Sequence, residues 1–169
     1  MLSKYDYTGK INFTQELRPW GKKQDGYLPK SQSIRIEILS ANQPLSIHVH
    51  PLEMDQIFLF MENGSLYLDL KPDINISKFE LEARSLRNIS PFLVQINAKK
   101  GEMYYIPGGI IHSLIKGTVI EIILSEKVCS KCDICHSCST YRIYDWKRDN
   151  RDLHFDNAFE TIKKLRKLI

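Results

Sequence analysis

Short runs of alternating apolar and polar residues dominate the chain. Positions 33–39 (SIRIEIL) place Ile34, Ile36 and Ile38 on one face of a strand. Asn42-Gln43-Pro44 reads as a turn. Positions 45–50 (LSIHVH) alternate again: Leu45, Ile47 and Val49 point one way, and Ser46, His48 and His50 the other. An apolar strand over 57–61 runs into Glu62-Asn63-Gly64, a hairpin signal, so 65–70 is expected to return as its partner. Lys71-Pro72-Asp73 breaks the pattern. A helix is predicted next, with Ser77 and Glu80 as a capping box and Ile76, Phe79, Ala83 and Leu86 at helical spacing. Strands resume over 92–98, 102–106, 112–116, 119–125 and 140–146. Asp156 is expected to cap a last helix with Phe159, Ile162, Leu165 and Leu168 or Ile169 on one face. Many short strands with Gly and Pro turns, and few peripheral helices, predict an all-β barrel or sandwich.

Composition agrees with one globular domain. The chain has 169 residues, 43% hydrophobic and 26% charged, near globular averages, so intrinsic disorder is not expected. A chain of this size buries about 70% of its unfolded surface and needs no staples to fold. No apolar stretch is long enough to span a bilayer, and the opening MLSKYDYTGK lacks the apolar core of a signal peptide, so a cytoplasmic location is expected. The net charge of +4 is concentrated near the C-terminus, in Lys163, Lys164, Arg166 and Lys167. Such a run reads as a solvated helix face. No stripe of basic residues alternates with aromatics, so nucleic acid is not implied, whereas a phosphate-bearing small ligand could use the positive balance.

His48 and His50 sit two apart on a strand, so both imidazoles share a face and could supply half of a metal site. Taken alone, the pair could equally be interior histidines with ordinary hydrogen bonds. A second motif adds to it. Gly101, Pro107, Gly109 and His112, in GEMYYIPGGIIH, match the G-x5-P-x-G-x2-H pattern of cupin barrels, whose glycines and proline shape a turn that aims the histidine inward. Cupins also place a carboxylate a few residues after the first pair. Here Asp55 matches that offset, while Gln56 sits better relative to the apolar strand. A set of His48, His50, Gln56 and His112 would carry no ligand charge and would favour zinc, nickel, iron or copper over hard cations.

From Pro44 onward the chain resembles the small bacterial mannose-6-phosphate isomerases of the cupin superfamily. PLSIHVHP at 44–51 is similar to their P-L-S-I-Q-V-H-P, YIPGGIIH at 105–112 to Y-I-P-A-G-T-V-H, and TYRIYDW at 140–146 to T-Y-R-V-Y-D-W. Arg18-Pro19-Trp20-Gly21 resembles their R-P-W-G opening, and Arg151-Asp152-Leu153-His154 their R-x-L-H. The resemblance implies a cupin-type double-stranded β-helix, a jelly-roll barrel, with a C-terminal helix and one peripheral helix. It implies one domain over 1–169, with an N-terminal arm (1–40), the barrel (41–125), an insertion (126–139) and a final strand and helix (140–169). It implies a divalent metal, zinc first, held by His48, His50, Gln56 and His112. Glu121 matches an acidic residue of the sugar site and Arg142 an arginine over the reacting carbons. Read from the residues alone, Glu121 could be a solvent-facing strand residue and Arg142 a structural ion-pair partner. The implied activity is isomerisation of a sugar phosphate, with a homodimer as the implied assembly. The family's lysine and glutamate before the aromatic strand are replaced by Met54, Asp55 and Gln56. That departure keeps open a non-catalytic metal- or sugar-binding cupin, or a different metal-cupin enzyme such as a dioxygenase.

All four cysteines fall within ten residues, Cys129, Cys132, Cys135 and Cys138. Cys-x2-Cys spacing lets two thiolates grip one ion. A zinc site, with His136 as a substitute ligand, is the first expectation. An iron–sulfur cluster, two local disulfides and free thiols are the alternatives.

Overall fold

A computed structural model describes residues 14–27, 34–125, 140–148 and 151–168. Its strands are β1 (Thr14–Arg18), β2 (Gly21–Tyr27), β3 (Ile34–Ala41), β4 (Ile47–Val49), β5 (Met54–Phe60), β6 (Gly64–Leu70), β7 (Leu93–Ala98), β8 (Met103–Ile106), β9 (His112–Ser125) and β10 (Tyr141–Tyr144). Helix α1 (Ile76–Arg84) follows β6, a 3-10 turn (Ser90–Phe92) precedes β7, and α2 (Phe155–Leu165) follows β10. All strand pairs are antiparallel, and the curled sheet is a cupin-type barrel, as expected.

The long strand β9 belongs to both walls. Residues 117–125 lie between β3 and β5, while His112 pairs with β4 and residues 112–116 pair with β6. One wall therefore runs β1-β2-β3-β9-β5-β8, and the other β10-β4-β9-β6-β7. The strand turns from wall to wall at Gly117, whose φ is +114°. A Cβ there would lie 3.1 Å from Gly64 Cα, a tight contact, and the positive φ favours glycine at the crossing. Two strands expected over 112–116 and 119–125 are thus one bent strand.

The same crossing corrects a second expectation. Glu62-Asn63-Gly64 does make a turn, but β6 does not return along β5. It pairs with β7 and β9 in the opposite wall, while β5 pairs with β8 and β9. A turn signal reports a change of direction and leaves the partner open.

Two apolar clusters hold the fold. Inside the barrel, Trp20, Leu39, Phe58, Phe60, Leu66, Leu114 and Val119 are buried together. Outside it, Ile47, Val49, Ile111 and Ile143 pack against Phe79 and Ala83 of α1 and Ala158, Phe159 and Ile162 of α2. Period two in β4 therefore sends Ile47 and Val49 under the helices and leaves His48 on the other face. In β3 the buried side chains are Glu37, Leu39 and Ala41, while Ile34, Ile36 and Ile38 are only half-buried on the outer face.

The helix caps also differ from expectation. Asn75 caps α1, its side chain accepting from Lys78 N at 3.1 Å, in place of the Ser77–Glu80 box. Glu80 instead reaches Arg84 and Lys163. Helix α2 begins one residue after His154, so Asp156 lies in its first turn, where its charge favours the helix N-terminus. Leu86 and Leu168 are exposed beyond the helix ends. Among the described residues no helix is long and apolar enough to cross a membrane. The cysteine segment lies outside the described residues.

Candidate metal centre

Strands β4 and β9 bring the three histidines together. His48 and His112 are directly opposed across the sheet, and Arg142 of β10 opposes His48 on its other side. The possible ligand atoms of His48, His50 and His112 all lie within 4.8 Å of one another, and all three residues are buried. The second motif is clamped against the first. Gly109 N donates to His50 O at 2.9 Å, and Gly108 N donates to Asp55 Oδ1 at 2.9 Å. A Cβ on Gly108 would sit 2.3 Å from Pro51 O, so the approach requires glycine.

The ring nitrogens are sorted by their hydrogen bonds. His48 Nδ1 faces Ser46 O at 2.7 Å and His112 Nδ1 faces Ile110 O at 2.9 Å. A carbonyl only accepts, so each Nδ1 carries the proton and each Nε2 keeps its lone pair. His48 Nε2 lies 3.1 Å from His50 Nε2, and His112 Nε2 is buried with no hydrogen-bond partner. Burial holds the His112 ring down to about 4, and burial, then the neighbouring His112 and His50, holds His48 well below the usual histidine value. The rings are therefore neutral near pH 7. Converging neutral Nε2 atoms, oriented by backbone carbonyls behind them, are what a divalent cation requires. The donor set fits such an ion.

Asp55 is not at this site. Its two carboxylate oxygens accept from Gly108 N and the Tyr105 hydroxyl, fixing the glycine turn. On β5 the inward face is Gln56, Phe58 and Phe60. Gln56 Nε2 donates to Glu121 Oε1 at 2.5 Å, and Gln56 Oε1 is buried without a hydrogen-bond partner. The amide is thus held by one end with its acceptor left over.

Glu121 is buried, so it is not a solvent-facing strand residue. It opposes Glu37 of β3 and Phe58 of β5. Burial, and then the Glu37 carboxylate, pushes Glu121 up to about 8. Glu37 is held by Lys23 Nζ at 2.8 Å and Arg35 Nε at 2.7 Å. Among the described residues Arg142 forms no ion pair within 4 Å, and its Nε is buried without a hydrogen-bond partner. One cavity is lined by His48, His50, Gln56, Glu121 and Arg142 together. It is also lined by Lys23, Arg35, Glu37, Arg18 and Arg151, of which the sequence reading assigned no role. The available signal was weak: Arg35 and Glu37 lie on the polar face of an alternating strand, which by itself suggests solvent.

No protein-family model matches the sequence. A probable mannose-6-phosphate isomerase of Bacillus subtilis, GmuF, is 31% identical over 147 aligned positions, covering 75% of this chain and 43% of that protein. The chain thus spans less than half the length of that relative. The crystal structure of the mannose 6-phosphate isomerase from Bacillus subtilis superposes with a TM-score of 0.69 at 15% identity, covering 89% of this chain and 67% of that one. A zinc-bound mannose 6-phosphate isomerase superposes with a TM-score of 0.55 at 10% identity, covering 76% of this chain and 53% of that one.

Proposed function

We propose that this chain, mannose-6-phosphate isomerase-like in sequence and fold, is a metal-dependent aldose–ketose isomerase acting on a hexose phosphate, mannose 6-phosphate first. The observation that carries the reading is a buried cluster of three histidines, two of which, His48 and His50, line one cavity with a buried carboxyl group and with Arg142, which has no ion pair within 4 Å among the described residues. His48, His50 and His112 would hold a divalent cation, zinc by the chemistry of the donors, with Gln56 Oε1 as a fourth, neutral donor. Such a cation supplies Lewis-acid polarisation of a sugar oxygen.

The chain's own residues supply the rest. Aldose–ketose isomerisation moves a proton between adjacent carbons. Glu121 is the carboxyl group of the cavity whose proton affinity lies near neutrality, so it can both take and give a proton in the working range. Gln56 fixes its orientation through the amide hydrogen bond. Arg142 offers a fixed cation to the negative charge that develops on the sugar oxygens, in a site where low dielectric strengthens its effect. Phe58 and Leu39 form an apolar floor that excludes water.

On this reading 1–169 is one cupin-type domain with 126–139 inserted into it, and the assembly is a homodimer. Cys129, Cys132, Cys135 and Cys138 bind a second zinc ion by their spacing alone. Clustered thiols fit a reducing, cytoplasmic setting. The test is elemental analysis joined to an isomerase assay on the full chain. Wild type should carry metal and convert mannose 6-phosphate to fructose 6-phosphate. His112→Ala should lose one equivalent and all turnover, and Cys132→Ser should lose a separate equivalent. A metal-loaded wild type that binds the sugar phosphate without turning it over would replace the isomerase with a sugar-binding cupin.

A further inference from the structure

The cavity carries more cationic charge than the isomerisation chemistry uses. Lys23 and Arg35 are engaged by Glu37. Arg142 stands beside the histidine triad, opposite His48 in the sheet. Arg18 and Arg151 remain, and both line the same cavity. Arg18 ends β1, and Arg151 lies between β10 and α2. Both side chains are about a quarter exposed, so they stand at the opening.

Their own ion pairs leave them available. Among the described residues Arg18 Nη2 pairs with the half-exposed Glu16 carboxylate, at 2.6 Å. Arg151 Nη1 is 3.6 Å from Asp145 Oδ2, and the Asp145 carboxylate already binds Arg148 at 2.9 Å. The guanidinium groups also feel one another. Burial, then Arg142, and after Asp145 also Arg18, bear on Arg151 and hold it below the usual arginine value. Like charges gathered at one opening are an unfavourable arrangement that an anion would relieve. Guanidinium forks match the geometry of phosphate oxygens.

We propose that Arg18 and Arg151 form the anion-binding lip of this cavity and hold the phosphate group of the substrate, while the sugar carbons reach inward to the histidine end. This assignment rests on the sugar-phosphate reading above and adds the residues that select a phosphorylated over a plain sugar. It makes specificity a property of two segments distant in sequence.

The experiment is calorimetric titration of the zinc-loaded full chain with mannose 6-phosphate, with mannose and with inorganic phosphate, alongside steady-state kinetics. The variants are Arg18→Gln, Arg151→Gln, and Arg87→Gln as a control in the exposed segment that follows α1. Each cavity variant should weaken mannose 6-phosphate and inorganic phosphate by about tenfold or more, the loss of one charged hydrogen bond. Binding of mannose should stay near wild type, while KM for mannose 6-phosphate should rise. Arg151 also borders the buried Asp145, so thermal melts accompany both variants, and Arg18→Gln decides the matter if Arg151→Gln unfolds. Unchanged binding of mannose 6-phosphate, or a parallel loss for mannose, would overturn the assignment. A wild type that binds phosphate through these arginines without isomerising the sugar would uphold the lip and sink the isomerase. Turnover with unaltered KM in the variants would do the reverse.

Discussion

An amide oxygen brings no formal charge, so Gln56 would add a donor to the histidine triad without offsetting the charge of the cation. Its position explains why an amide is suited here. Gln56 shares a hydrogen bond with Glu121, which itself borders Glu37, and a third carboxylate at this point would face two others in a buried space. Amide-to-carboxylate exchange therefore has opposite effects on the two states of the protein. In Gln56→Glu, metal-free protein should be less stable because like charges crowd in low dielectric. Its affinity for zinc should rise by at least about tenfold, about 1.4 kcal/mol. Competitive titration against a zinc chelator and a melt of the chelated protein measure the two effects separately. Equal affinity in both proteins would remove Gln56 from the donor set.

Among elements, the two helices matter because they cover the outer face of the histidine strand. Their inner surfaces meet through Phe79, Ala83, Phe159 and Ile162 over Ile47 and Val49. Their outer surfaces are tied by Glu80, which binds Arg84 at 2.9 Å within α1 and Lys163 of α2 at 2.6 Å. Burial raises the Glu80 carboxyl, but the hydrogen bonds from Lys163 and Arg84 outweigh it and lower its pKa overall. The folded protein thus binds the proton more weakly than the unfolded chain. The resulting stability is present above the ordinary glutamate value of 4.5 and is lost as pH falls through the lower folded value. Glu80→Gln should lower stability near pH 7 by at most about 1 kcal/mol, since the partners are largely exposed. The difference from wild type should shrink as pH falls below 4.5 and vanish once it is below the lowered folded value. Urea melts at several pH values test this.

For the whole molecule, the proposed metal donors come from segments far apart in sequence, His48 and His50 on and just after β4 and His112 on β9, with Gln56 on β5. An ion held by all of them would bind the folded barrel and not the unfolded chain, and would raise its stability by mass action. At a hundredfold excess over Kd the gain is about 2.7 kcal/mol. Removing metal with a chelator should therefore lower Tm, zinc should restore it in proportion to the logarithm of its concentration, and His112→Ala should abolish the response. A Tm indifferent to zinc in wild type would argue against a site that spans the two walls.

Much of this was legible from local pattern. Alternation in 45–50 determined that His48 and His50 share a face opposite Ile47 and Val49, because side chains alternate along any strand. The spacing of Gly101, Pro107, Gly109 and His112 announced a turn and an inward histidine, since Gly101 and Gly109 take positive φ, +87° and +83°, which residues with a side chain rarely adopt. Tertiary structure decided which elements meet. The strand after Glu62-Asn63-Gly64 crossed to the other wall, and Asp55 turned out to brace the glycine turn while Gln56 faced the cavity. It also decided the fate of charged residues. Lys23, Glu37 and Glu121 are inside and Ile34, Ile36 and Ile38 are on the outer face, an inversion of hydrophobic expectation. The physical reason is that periodicity identifies the two faces of a strand, whereas only the closed barrel determines which face is interior and which charges have partners there to make their burial tolerable.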